Sequence, residues 1–274
     1  MTAPDLGVIL AISLVAGAIG AMLGLGGGII LVPALIFLQD VPRTEAVAAS
    51  VVSVIATSSA AAIAYVRDHH ADIRLGLVLE TTTAVGAVTG AIVAGYLSDR
   101  FVAALFAAML VLASLSLVRR PADTSTPATA AGAAFLEGSC AAEHGGGRAR
   151  YGVVRLREGL AGGLLAGIIS AILGVGGGLV MVPIMVVRMG VPMRVAIATS
   201  ALMIGVTAVA TAIPYYAAGH VNPHLAAPCA LGVLVGARAG ARLAQRTRSL
   251  VLRRAFACVL LYTAYTMARR AAGL

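Results

Sequence analysis

Two glycine-rich segments contain the residues of this chain whose spacing best suits ligand binding. Each segment interrupts one apolar helix and begins another, which carries Pro33 in the first copy and Pro183 in the second. Consecutive glycines destabilise a helix, and the helix that follows presents unpaired backbone N–H groups and the positive end of its dipole. Such an N-terminus binds an anion without a basic side chain; the alternative is that the glycines only permit close helix packing. The candidate binding residues are Gly26, Gly27, Gly28, Gly176, Gly177 and Gly178.

Hydroxyl side chains occur on the next apolar segment of each half. Ser50, Ser53 and Thr57 are spaced by three and four residues, so they share one face of a helix. Hydroxyl groups donate hydrogen bonds to the oxygens of an oxyanion. In the alternative, they donate to carbonyl groups of their own helix. The candidate anion ligands on these segments are Ser50, Ser53, Thr199 and Ser200.

Two charged residues lie within apolar segments. Arg238 has a guanidinium that suits an oxyanion, although an arginine in such a segment also extends toward lipid phosphate. Glu80 lies about two turns into its segment. It either carries a proton that is coupled to transport or pairs with an arginine near the membrane interface. Both residues are therefore functional candidates with a structural alternative.

The apolar segments contain no arrangement typical of catalysis. They lack a Ser/His/Asp set, paired carboxylates and a cluster with metal-ligand spacing. Cys140 and His144 lie four residues apart in a polar stretch, but two ligands are too few for a metal site. We therefore predict no enzyme activity, no catalytic or metal-binding residues and no cofactor.

The composition indicates a membrane protein. Hydrophobic residues make up 60% of the chain, charged residues 11%, and the mean hydropathy is +0.97. These values exclude an ordinary soluble domain. The net charge of +9 comes from arginines between apolar runs, and aromatic residues are only 4%, so nucleic-acid binding is not expected. The N-terminus has an acid and no basic residue, so we interpret it as a first span rather than a signal peptide.

The chain contains one unit written twice. The second copy matches the first without a gap at an offset of 150 residues, as in the pairs Tyr65 with Tyr215 and Gly86 with Gly236. Such a match across five apolar segments indicates internal duplication. In the first copy we predict helical segments over 6–23, 29–38, 45–66, 73–97 and 102–118. The predicted domains are a first membrane repeat over 1–118, an exposed, mobile linker over 119–151 and a second membrane repeat over 152–274.

The arginines predict how the two halves are oriented. If the first two segments of each half form one span, the 20 arginines divide evenly between the two sides of the membrane. If they form a hairpin, all but Arg43, Arg100, Arg269 and Arg270 lie on one side. The positive-inside rule favours the second arrangement, with a cytoplasmic linker and both termini outside. We therefore predict an all-α integral membrane protein with two inverted-topology repeats, each starting with a Gly-broken hairpin.

Two motifs resemble those of a known family. LGxGGGxxxVP occurs from Leu23 to Pro33 and again from Leu173 to Pro183, and VPxxxAxAxS follows each copy at the same distance. This doubled pattern, which leaves out the linker, resembles the sulfite exporter (TauE/SafE) family of membrane anion transporters. The resemblance implies a secondary transporter, in particular an exporter, for sulfite, organosulfonates or related sulfur-containing anions. It does not say which of these anions is carried.

The functional prediction has one main alternative. An anion channel of the same architecture would share the glycine breaks but would conduct without coupling to an ion gradient. The expected partners are a small anionic substrate and the lipid bilayer, with a proton or other ion gradient driving transport, while the oligomeric state stays open. The absence of lysine, together with abundant alanine and arginine, suggests a bacterial protein of the inner membrane.

Overall fold

The computed structural model describes residues 6–23, 26–67, 71–118, 137–141, 148–244 and 264–266 of the 274-residue chain. Nine named helices lie within these ranges. Five are in the first half and four in the second, so the predicted helical fold is confirmed for the described residues. The helices are α1 Leu6–Leu23, α2 Gly28–Leu38, α3 Arg43–Arg67, α4 Ile73–Ala94, α5 Asp99–Val118, α6 Leu156–Leu173, α7 Gly178–Val187, α8 Met193–Ala217 and α9 Pro223–Ala244.

The predicted helix bounds agree closely with these elements, with one notable difference. The fourth segment was expected over 73–97, but α4 ends at Ala94, and a short turn separates it from α5. Gly95 caps this end of the helix, and α5 begins at Asp99, whose carboxylate lies in the first turn of that helix. Of the fifth segment in the second half, only 264–266 are described, and they are helical. Arg269 and Arg270 lie outside the described residues.

The linker contains secondary structure that the sequence did not predict. Strand β1, Glu137–Ala141, pairs antiparallel with β2, Arg148–Gly152. The register places Cys140 opposite Ala149. His144 and the rest of 142–147, together with 119–136, lie outside the described residues. The described chain is therefore helical apart from this two-stranded hairpin.

Three of the described helices are long and apolar enough to cross a membrane. They are Ile73–Ala94, Leu156–Leu173 and Val195–Ala217. Shorter apolar helices include α2 and α7, at 11 and 10 residues. At about 1.5 Å per residue, each covers only roughly half of a hydrocarbon core of about 30 Å. Neither short helix is therefore long enough to cross the bilayer by itself.

Pairs of helices from opposite halves pack along glycine-lined faces. On α6, a Cβ at Gly159 would lie 3.2 Å from Leu79, and one at Gly167 would lie 2.8 Å from the backbone nitrogen of Ala87. The residue numbers of the contacting positions increase together along the two helices, so α4 and α6 run parallel. The pair α1 and α9 repeats this arrangement, since Gly232 contacts Leu10 and Gly240 contacts Ala18. Small residues allow this backbone approach in a membrane, where packing rather than the hydrophobic effect joins helices.

Helices α3 and α8 contact each other at the centre of the protein. Ser58 of α3 lies against Gly205 of α8, where a Cβ would be 2.8 Å from the serine oxygen. Nearer the start of α3, Glu45 accepts a hydrogen bond at 3.4 Å from Asn222, which follows the end of α8. The residue numbers of these contacts increase along one helix as they decrease along the other, so α3 and α8 are antiparallel. The central pair carries the hydroxyl residues that the sequence singled out.

Candidate anion site at the two glycine breaks

The first glycine break folds the chain back onto α1. Gly26 and Gly27 adopt φ of 75° and 80°, a left-handed conformation that residues with a side chain rarely adopt. A Cβ at Gly27 would lie 3.0 Å from the carbonyl oxygen of Ala16, which is in the preceding helix. The N–H groups of Ile30 and Leu31 both donate to Gly27 O at 3.2 Å, which starts α2. The turn thus depends on glycine both for its φ values and for its close approach to α1.

The second break follows the same sequence but differs in detail. Gly174 and Gly176 have φ of 68° and 82°, whereas Gly177 has φ of −62°, a helical value. A Cβ at Gly177 would meet no atom within 4 Å. The N–H groups of Val180 and Met181 donate to Gly177 O at 3.2 and 3.0 Å, so α7 begins there. The first N–H groups of α7 therefore point out of the helix end without a partner in their own helix.

The two breaks meet at the centre of the protein. A Cβ at Gly28 would lie 2.5 Å from the carbonyl oxygen of Gly174. Gly26 and Gly176 contact the same two side chains, Val54 of α3 and Ile204 of α8. These two side chains are repeat mates and both are 1% exposed. The structure therefore brings the starts of α2 and α7 to one buried place between α3 and α8.

Two hydroxyl groups of α3 bind the breaks directly. The Ser50 hydroxyl donates to Gly174 O at 2.7 Å, and the Thr57 hydroxyl donates to Gly26 O at 3.0 Å. Thr57 also lies within 2.9 Å of Ser53 O, so its single proton is shared among several acceptors. Carbonyl groups freed by a broken helix need such donors, because no water is available inside the bilayer. Ser50 and Thr57 thus hold one break each from the same face of α3.

The other predicted hydroxyl ligands have different surroundings. Ser53 donates to Ala49 O at 2.8 Å within its own helix, which is the structural alternative for this residue. Thr199 accepts a bond of 2.9 Å from the N–H of Asp72, at the N-terminus of α4. The Ser200 oxygen is fully buried and has no hydrogen-bond partner among the described residues. The repeat mate of Ser200 is Ser50, which binds Gly174. The residue that matches Gly174 in the first half is Gly24, and it lies outside the described residues.

Glu80 occupies a buried polar site between α4 and α8. Its side chain is 6% exposed, and its two carboxyl oxygens lie 2.8 Å from Thr207 Oγ1 and 3.0 Å from Thr83 Oγ1. Thr207 is the repeat mate of Thr57, which binds the first break. Glu80 itself has no acidic mate, since Ala230 stands at the matching position. The acid therefore adds a titratable group at a position that has none in the other half, and its partner Thr207 lies one helical turn from Ile204 on α8.

Arg238 lies apart from the breaks. Its side chain is exposed on α9, while Gly236 and Gly240 on the same helix contact α1. The described contacts do not bring it near the glycine breaks. Its position fits an arginine that extends to the lipid headgroups, and its role in substrate binding stays a prediction.

Comparison with known proteins assigns the chain to a family. The sequence profile of the family described as sulfite exporter TauE/SafE matches residues 9–267. The chain belongs to this family. A TauE/SafE relative is the probable membrane transporter protein YunE of Bacillus subtilis (strain 168), which is 27% identical over 254 residues, covering 89% of this chain and 91% of that protein. No solved structure matches the chain. Membership identifies the protein as a membrane transporter.

Two residues near the breaks were not chosen from the sequence. Thr57 shares the face of Ser50 and Ser53, but only the structure shows that it reaches Gly26 O. Arg43 lies beside a cavity that adjoins the second break. Its signal in the sequence is that it is one of the few arginines on the sparsely charged side and that its repeat mate is Met193.

Proposed function

We propose that this TauE/SafE protein is a secondary transporter that exports sulfite, an organosulfonate or a related sulfur-containing anion. The substrate would bind near the membrane midplane between the two glycine breaks. The observation that carries the proposal is the meeting of the two helix starts, with Gly28 against Gly174 O and with Gly26 and Gly176 around Val54 and Ile204. Two helix N-termini directed to one buried place favour a negative charge there without any basic side chain.

The proposed anion would accept hydrogen bonds from donors around the two breaks. Ser200 has a buried hydroxyl oxygen with no partner among the described residues, on the central helix α8. A sulfonate or sulfite offers several acceptor oxygens, which suit a hydroxyl and a set of backbone N–H groups. In a closed site of low dielectric constant, these donors bind an anion more strongly than they would in water.

We further propose that the halves are inverted-topology repeats. The support is the antiparallel packing of α3 and α8, because these two helices are repeat mates and parallel repeats would point them the same way. The fold of Gly27 back onto Ala16 supports the Gly-broken hairpin. Together with the arginine distribution, this packing supports a cytoplasmic linker and termini outside a bacterial inner membrane. Labelling of Cys140 only in inside-out vesicles would support this sidedness, and labelling only in right-side-out vesicles would overturn it.

Glu80 is the proposed site of proton coupling. The two threonine hydroxyls satisfy its carboxyl group, and no basic side chain is paired with it among the described residues. On α4, the helix of Glu80 itself, Arg74 is exposed. On the neighbouring helix α6, Glu158 is exposed and pairs with Arg188 at 3.1 Å. A buried carboxyl group held only by neutral hydroxyls changes its charge readily when conformational change alters its access to water.

The decisive experiment is a flux assay with purified protein in proteoliposomes. Radiolabelled sulfite or methanesulfonate is loaded on one side, and its movement is followed with and without an imposed pH gradient. We expect saturable flux that accelerates with the gradient. Current without saturation or gradient dependence would indicate a channel instead, and no movement of any sulfur oxyanion would overturn the substrate assignment.

A further inference from the structure

A cavity opens between α2, α3 and α5, apart from the two glycine breaks. Its volume is about 360 Å³, within the range of small-molecule pockets, which begins at about 300 Å³. Val32 and Phe106 form part of its apolar walls, and Arg43, Asp99 and Arg100 are its charged residues on α3 and α5. Asp40 also lines the cavity, which thus combines an apolar wall with two positive and two negative side chains.

Arg43 is the buried charge of this cavity. Its side chain is 15% exposed, its Nε pairs with the carboxylate of Asp99, and its Nη2 donates to Leu97 O at 3.3 Å. Its Nη1 is buried and has no hydrogen-bond partner among the described residues. The Asp99 side chain is 82% exposed, so the carboxylate that holds Arg43 is itself open to solvent. An oxyanion that enters the cavity can therefore compete with this exposed carboxylate for the Arg43 guanidinium.

Two side chains, Leu173 and Val47, lie between this cavity and the second glycine break. Leu173, which is 2% exposed, lines the large cavity and also a small cavity of about 10 Å³ beside Gly176 and Gly177. Val47 lines the large cavity from α3, and a Cβ at Gly174 would lie 2.9 Å from its side chain. The floor of the large cavity is thus the outer surface of the break.

We propose that this cavity is a vestibule in which Arg43 binds the sulfur oxyanion, with Leu173 as the gate between the vestibule and the second break. The identity of the anion and the outward position of the vestibule rest on the proposed function. Arg43 has no basic mate in the second half, because Met193 stands at the matching position. A transporter with an anion-binding arginine at one end holds the anion more tightly on that side.

The protein offers a clean spectroscopic test because it contains no tryptophan. Phe106→Trp places a lone fluorophore in the wall of the vestibule, and Val102→Trp, on the same wall, serves if the first variant does not fold. Each purified variant is titrated with sodium methanesulfonate at constant ionic strength, with sodium chloride as the balancing salt. We expect a saturable change in fluorescence, and Arg43→Met in this background should raise the apparent Kd by about tenfold or more.

Two control variants separate anion binding from structural effects. Asp99→Asn also breaks the pair with Arg43 but keeps the guanidinium, so it should lower the apparent Kd, whereas a purely structural ion pair predicts that it acts like Arg43→Met. Arg157→Gln removes an equal charge from an exposed position at the start of α6 and should leave the titration unchanged. Equal titrations with Arg43 and with Met at this position would overturn the proposal.

The same variants distinguish failure of the vestibule from failure of the proposed function. In proteoliposomes, Arg43→Met should raise KM at the vestibule side while kcat stays within about twofold of the wild type. If the wild type moves no sulfur oxyanion but the fluorescence titration depends on Arg43, the proposed function fails and the vestibule stands. If the wild type transports and the titration is independent of Arg43, the vestibule fails alone.

Discussion

The Gly177→Ala substitution gives the sharpest test of the anion site. Gly177 has φ of −62° and ψ of −9°, which alanine adopts readily, and a Cβ there would meet no atom within 4 Å. Because alanine restricts the unfolded chain, we expect the variant to be as stable as the wild type or more stable by about 0.4–1 kcal/mol. The added methyl group, however, points into the space beside the break. Any loss of transport would then arise from the site and not from misfolding.

The expected size of the effect follows from the geometry of the break. The cavity lined by Gly176 and Gly177 has a volume of about 10 Å³, roughly the space of one water molecule, so a methyl group there displaces whatever binds to these N–H groups. Loss of one hydrogen bond to a charged ligand costs about 1.5–3 kcal/mol, which corresponds to roughly 10- to 150-fold in affinity. We therefore expect KM for sulfite flux to rise by this factor.

The assay is saturable flux of radiolabelled sulfite in proteoliposomes, together with thermal unfolding in detergent. Gly95→Ala is the matched control, since Gly95 also has a helical φ, of −67°, and its nearest atom would be 3.7 Å away. Gly27→Ala is a poor test, because its φ of 80° makes alanine strained by about 1–2 kcal/mol whatever the site binds. A Gly177→Ala variant that folds normally and keeps its KM within twofold of the wild type would refute the anion site at this break.

Three further predictions use the contacts described above. Ser50→Ala should lower the free energy of unfolding by about 1–3 kcal/mol in a denaturation assay, because it leaves the buried Gly174 O without its donor at 2.7 Å. Gly90→Ala should cost about 1–3 kcal/mol and lower the melting temperature, because its Cβ would lie 2.5 Å from Ile168 O; an unchanged melting temperature would contradict this packing. Glu80→Gln should abolish acceleration of flux by a pH gradient while exchange of labelled for unlabelled anion continues, and a retained gradient response would exclude Glu80 as the coupling residue.

Much of the helical architecture could be predicted because it depends on local patterns. Apolar runs, the ungapped repeat and the glycine breaks placed α1 to α5 within a few residues of their observed bounds. The shared face of Ser50 and Thr57 also follows from helical spacing alone. The spacing does not predict which group each hydroxyl binds, since Ser50 binds a carbonyl 124 residues away.

The remaining features depend on contacts between distant parts of the chain. Gly27 and Gly177 occupy matching positions in matching motifs, yet one has φ of 80° and the other φ of −62°. Their neighbours differ, because Gly27 is pressed against Ala16 and Gly177 faces open space. Arg43 was likewise hidden, since its partner Asp99 lies 56 residues further on. The strand pairing in the linker offered no apolar alternation that would have predicted it.

The packing of helices of one half on helices of the other has a consequence for biogenesis. Helix α1 packs on α9 and α4 packs on α6, so glycines of the first half contact helices of the second half. A ribosome that adds about 5–20 residues per second needs roughly 10 to 45 s to go from the end of α1 to the end of α9. During this interval the face of α1 that contacts α9 is without that partner. These interfaces between the halves are therefore completed late in synthesis, and we expect the two halves, expressed as separate polypeptides, to associate in the membrane.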